Sequence, residues 1–112
     1  MEITTDRPKQ SRISLEHWKT KEYNDAIRVC TVFGLEFKNL FEEPLRQGDK
    51  VDARTIIIWI LLKGYELKET PIARRMGLDR SSIYFHRKRF LNLYQVDKVF
   101  RGKCAILGVH PD

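Results

Sequence analysis

Residues Thr70 to Ile83, TPIARRMGLDRSSI, carry a helix stop and a helix start within three residues of each other. Thr70 is placed to cap a helix, and Pro71 suits its first position, where a missing N–H breaks no hydrogen bond. Gly77 tolerates the left-handed conformation in which helices commonly end. Asp79 or Ser81 then offers a side-chain oxygen to the free N–H groups at the start of a second helix. Ile72, Ala73, Met76, Leu78 and Ile83 are the apolar positions of the pair, and the small Ala73 and Gly77 suit the places where the two backbones come closest. Two helices joined by so tight a turn form a helix-turn-helix pattern, here over about 70–94.

Projected at about 100° per residue, the second helix shows an inward stripe of Ile83, Phe90 and Tyr94 with Leu91 and Leu93 at its edges. Ser81, Phe85, Lys88, Arg89 and Asn92 fall on the opposite side, with Arg80 and Ser82 at the helix entrance. His86 falls beside the inward stripe and is expected to pack or to make a core hydrogen bond.

The charge is uneven along the chain. From Pro71 to Lys103 there are nine Lys/Arg against Asp79 and Asp97, a balance of +7, whereas the whole chain carries +6. Such a run either forms a solvated helix face or marks a surface for a polyanion. In a helix-turn-helix the N-terminal residues of the second helix reach base edges, while nearby cations hold phosphates. Arg80 is then the expected base reader, Ser81 and Ser82 can serve bases or phosphates, and Lys88 and Arg89 are phosphate contacts. Phe85 either touches a thymine methyl or packs as a partly buried edge aromatic.

Elsewhere the pattern is also helical. Residues 1–13 read as a flexible lead, and residues 14–112 as one domain, which suits a length of 112. Ser14 caps a helix from Leu15 to Gly34, its core stripe being Trp18, Tyr23, Ala26, Ile27, Cys30 and Phe33. Phe37, Leu40 and Phe41 predict a short helix before Pro44, and Glu43 to Lys50 read as a loop. From Val51 to Lys63 the isoleucines favour a strand, but length and the lack of alternation favour a helix buried on most sides. The helical reading is preferred because its neighbours are helical, and the fold class expected is all-α.

Several functions are disfavoured. Cys30 and Cys104 have no metal-binding or disulfide spacing and read as buried or half-buried free thiols. The longest apolar run, Ile56 to Leu62, falls far short of the roughly 20 residues a membrane helix needs. The polar N-terminal segment lacks a secretory apolar core, so a cytoplasmic, nucleoid-associated chain without membrane contact is expected. His17, His86 and His110 have no nucleophile or metal partner near them in sequence, so neither catalysis nor a cofactor is expected.

The stretch from Val51 to Phe90 resembles the C-terminal DNA-binding domain of the bacterial replication initiator DnaA, in the Trp-repressor-like helix-turn-helix superfamily. The resemblance rests on Ala53-Arg54 opening a long apolar helix, on Ile72-Ala73 and Gly77, and on Asp79-Arg80-Ser81-Ser82-Ile83 opening the recognition helix. Together with the lead-in VCTVFGLEFKNLF it covers about residues 26 to 107. It implies minor-groove contact by Arg54, backbone contact by Arg46 and Lys50 in a basic loop, and major-groove readout by Asp79, Arg80, Ser81 and Ser82. Arg54 has a second reading, as a first-turn cation that meets Asp52 or Glu69. Arg80 stands where the family has histidine, His86 stands where it has a small residue, and the loop here is less basic.

No G-x-x-x-x-G-K-[ST] motif is present, so ATP-driven melting is not expected of these residues, whether freestanding or part of something longer. The expected function is sequence-specific binding of double-stranded DNA in replication initiation or its regulation. The alternatives are a repressor of a mobile element, or an interaction module contacting a replication protein or oligomerising through VFRGKCAILGVH and the first helix.

Overall fold

The computed structural model describes residues 15–44 and 47–111. Among them are five α-helices and no strand: α1 (Thr20–Val32), α2 (Gly48–Trp59), α3 (Glu69–Met76), α4 (Arg80–Val96) and α5 (Lys98–Leu107). Two 3-10 turns, Leu15–His17 and Phe37–Phe41, flank α1, and a π-helical turn, Ile60–Gly64, continues α2. The all-α expectation holds for the described residues.

The first helix is broken where a continuous one was expected. Trp18 turns inward after the Leu15–His17 turn, and its indole N–H donates to the carbonyl of Arg75 at 3.1 Å. The chain restarts as a helix because the Glu22 carboxylate accepts the Lys19 N–H at 2.9 Å, satisfying a donor at the helix start from inside the first turn. The proposed Ser14 cap lies outside the described residues. α1 buries Glu22, Ala26, Val29 and Cys30 at helical spacing. It stops at Gly34, whose φ of 72° allows the Leu35 N–H to bond back to the Cys30 carbonyl at 2.9 Å.

α2 starts at Gly48, three residues before the expected Val51, so Lys50 belongs to a helix and not to a loop. Asp49 in its first turn suits the positive end of the helix dipole. Ala53, Thr55, Ile56, Ile57, Ile58 and Trp59 are all buried, so the isoleucine run is a helix covered on most sides and not a strand. The next helix begins at Glu69, one residue before Thr70, which makes Pro71 its third residue. That shift is tolerated because the first four N–H groups of a helix have no intrahelical acceptor.

α4 and α5 close the core. The Trp59 and Phe90 rings stack at 4.3 Å with an interplanar angle of 6°, and Phe100 meets Phe90 edge-on at 5.6 Å. The last segment, for which the sequence analysis gives no helix, is also helical: Asp97 caps α5 by accepting the Phe100 N–H at 3.0 Å. Phe100, Cys104 and Leu107 form the buried stripe of α5. Both cysteines are buried free thiols, and burial pushes each pKa up to about 11.

Candidate nucleic-acid interface

The turn between α3 and α4 is built as its residues suggest. Gly77 takes φ +67°, and the Leu78 N–H reaches the Ala73 carbonyl at 3.0 Å, closing α3. Ile72, Met76 and Ile83 are buried and pin the two helices together. Asp79 is the N-cap of α4: one carboxylate oxygen accepts from the Ser82 N–H at 3.1 Å, the Ser82 hydroxyl at 3.0 Å and the Ser81 hydroxyl at 2.9 Å. These donors, Ser81 first, hold the Asp79 carboxyl below its usual pKa.

The outward face of α4 carries Arg80, Ser81, Tyr84, Phe85, Arg87, Lys88 and Asn92, all exposed. The Arg80 side chain is 72% exposed and approaches the Glu69 carboxylate at 3.8 Å. Lys88 lies over the Tyr84 ring, its Nζ 4.9 Å from the centroid. Phe85 is 57% exposed and meets the His86 ring edge-on at 5.2 Å. Asp79, Arg80, Ser81, Ser82, Phe85 and Lys88 therefore share one region of the surface. Tyr84 belongs to the same face and was missed. One helical turn before Lys88, it could have been found from the projection.

Arg89 lies elsewhere, and its expected outward position is corrected. Its side chain is 25% exposed, its Nη2 pairs with Asp52 at 2.8 Å, and its Nη1 donates to the Thr55 hydroxyl at 3.0 Å. The buried arc of α4 is Ile83, His86 and Phe90. At ~100° per residue its centre lies about 30° from that of the apolar stripe, on the His86 side, and Arg89, beyond His86 around the helix, meets α2. His86 makes the core hydrogen bond expected of it, Nδ1 to the Thr55 hydroxyl at 2.8 Å. Burial, then the charges of Arg54 and Arg89, push the His86 pKa down to about 4, so the ring is neutral.

Two further cations point inward. Arg54 is buried, and its Nη1 donates to the Leu40 carbonyl at 2.6 Å; its expected partners Asp52 and Glu69 meet Arg89 and Arg80. Burial, then the Arg89 charge, lowers the Arg54 pKa from its ordinary value. Lys50 is also buried, its Nζ donating to the carbonyls of Glu42 at 2.9 Å and Pro44 at 3.3 Å. Arg46 lies outside the described residues.

The basic excess shrinks when its members are placed. Arg75 pairs with Glu22, Arg89 with Asp52, Arg101 donates to the Tyr94 carbonyl at 2.7 Å, and Lys103 lies over the Phe33 ring. Arg74, Arg80, Arg87, Lys88 and Lys98 remain as exposed cations. Three of these five belong to the outward face of α4.

The class defined by fold and surface is a small all-α protein with a basic, aromatic-bearing helix face. No family model, characterised protein or solved structure matches the chain. Among the described residues no helix is long and apolar enough to cross a membrane.

Proposed function

We propose that the chain binds double-stranded DNA sequence-specifically, with α3 and α4 acting as a helix-turn-helix and α4 entering the major groove. One observation carries the reading: Arg80 is strongly exposed in the first turn of a capped helix whose outward face adds Ser81, Tyr84, Phe85 and Lys88. Asp79, the acid that begins α4, is engaged as the cap. Arg80 reads a base, Lys88 and Arg87 hold phosphates, and Phe85 supplies apolar contact to a thymine methyl. A role in replication initiation or its regulation follows from the resemblance to the DnaA C-terminal domain, as does a change of target where Arg80 replaces histidine.

Selecting bound duplexes from a random pool tests this. Arg80→Ala is expected to relax preference at one base pair by about 1–3 kcal/mol. Lys88→Ala is expected to weaken all duplexes alike and flatten the salt slope by up to ~0.9. Equal affinity for selected and random duplexes sinks the proposal. A second reading, an interaction module, draws on α5, where Val99 and Ile106 are exposed. Failure to bind any duplex at low salt, together with a stable protein partner, favours it.

A further inference from the structure

The polar contacts between α2 and α4 form a closed seam within an apolar interface. Thr55 is fully buried at its centre. Its hydroxyl accepts from Arg89 at 3.0 Å and is hydrogen-bonded to His86 Nδ1 at 2.8 Å, so one oxygen ties both α4 side chains to α2. Arg89 is anchored at its other end by Asp52 at 2.8 Å. Around the seam lie Ile56, Ile83, Trp59 and Phe90, all buried.

Apolar packing sets the rotation of α4 coarsely, with Ile83 and Phe90 buried and Leu93 and Tyr94 packed beside them. Burial of apolar surface is nondirectional, and α4 carries large apolar side chains all round: Tyr84, Phe85, Leu91 and Val96 are exposed, while Ile83 and Phe90 are buried. The stripe from apolar residues alone centres on Ile83, Phe90 and Tyr94, yet the observed buried arc is turned toward His86. The groups on that side with directional demands are those of the seam. Hydrogen bonds with defined donors and acceptors tolerate a rotated register poorly, because a turn leaves them buried without partners.

We infer that Thr55 is a positioning residue which, through His86 and Arg89, fixes the rotation of α4 and thereby the set of side chains presented outward. This rests on the reading of α4 as the DNA-facing helix, and makes specificity depend on a residue that touches no DNA. Without the seam α4 samples rotations that bring Tyr84 or Leu91 inward and move Arg80 and Ser81 off their bearing. Affinity for phosphates, which any basic face supplies, survives that change.

The test compares wild type, Thr55→Ser, Thr55→Val and the double variant Thr55→Val/His86→Leu. The double variant replaces the centre of the seam with apolar groups of similar size, which keeps the interface filled and the chain folded if Thr55→Val alone does not fold. Two readouts are taken: the ratio of affinities for a selected and a random duplex, and side-chain NOEs between α2 and α4. Expected are a folded double variant with random-duplex affinity unchanged, a ratio lowered about tenfold, the scale of one misplaced base contact, and recovery in Thr55→Ser. Expected in the NOEs are broadened or doubled α4 resonances and new contacts from Tyr84 or Leu91 to α2. A folded double variant with an undisturbed ratio and unchanged NOEs overturns the inference. A wild-type chain that binds no duplex ends the DNA reading instead, and the NOEs alone then decide, unchanged contacts overturning the inference and new ones supporting it.

Discussion

Arg75 and Arg80 lie on either side of one turn, and each meets a glutamate. Behind α3, Arg75 Nε sits 2.8 Å from Glu22, with side chains 10% and 3% exposed. A second guanidinium nitrogen donates to the Pro71 carbonyl at 3.1 Å, and the Arg75 carbonyl receives the Trp18 indole. In front, Arg80 is 3.8 Å from Glu69, with side chains 72% and 48% exposed. The same two residue types thus make a fixed tie in one place and a loose attachment in the other. Burial decides between them: a buried charge is held by the cost of leaving its partner alone, whereas an exposed pair is screened and contributes about 0–1 kcal/mol. The front arginine is therefore available to a ligand, and the rear one is part of the frame that presents it.

The largest expected effect tests the rear pair. Arg75→Ala leaves Glu22 buried without its counter-charge and is expected to lower stability in urea denaturation by about 3–5 kcal/mol. Arg80→Ala, at a screened site, is expected to change stability by less than about 0.5 kcal/mol. Comparable losses in the two variants would remove the distinction between them.

The seam beside α4 sharpens the contrast from a neutral group. His86 is held at about 4 in the folded chain, below the ordinary value of 6.5. Below 6.5 the unfolded chain binds a proton that the folded one refuses. The stability tied to neutral His86 is thus complete above pH 6.5 and lost as pH falls toward 4. The loss approaches about 3 kcal/mol over that window. Urea denaturation at pH 7 and pH 4.5 measures it, with His86→Leu expected to flatten most of the slope. An equal slope in that variant would place the acid sensitivity elsewhere.

What could be read from the sequence divides along the same line. Gly77 and Asp79 were legible because their roles are local: a left-handed residue ends a helix, and a carboxylate caps the next one within three residues. Ile83, Phe90 and the stripe of α1 were legible because periodicity reports burial directly. Arg89, Arg54 and Lys50 were not, because a cation looks the same in sequence whether it meets solvent or a partner on a distant element. Arg89 finds Asp52 and Thr55 on α2, and Arg54 finds the Leu40 carbonyl. The resemblance that directed Arg54 to a groove carried no information about that carbonyl. α5 went unassigned although Asp97 and the spacing of Phe100, Cys104 and Leu107 marked it.

The smallest effect concerns Glu69, which faces Arg80 at a distance too long for a good hydrogen bond. As an acid beside a surface proposed to meet phosphates, it both attracts Arg80 and repels the backbone of a duplex. Glu69→Gln keeps the shape of the side chain and removes both effects at once. Folding stability is expected to move by less than about 1 kcal/mol, because the pair is exposed. Affinity for random duplex is expected to rise a few-fold at low salt, the gain fading as the Debye length contracts from ~10 Å at 0.1 M toward ~3 Å at 1 M. Affinity titrations of Glu69→Gln across that range measure it. A gain that persists at high salt would mean that Glu69 restrains Arg80 through contact and not through charge, making the front pair more like the rear one than the exposures suggest. No gain at any salt would place Glu69 away from the bound duplex and set the bearing of α4 on the DNA differently.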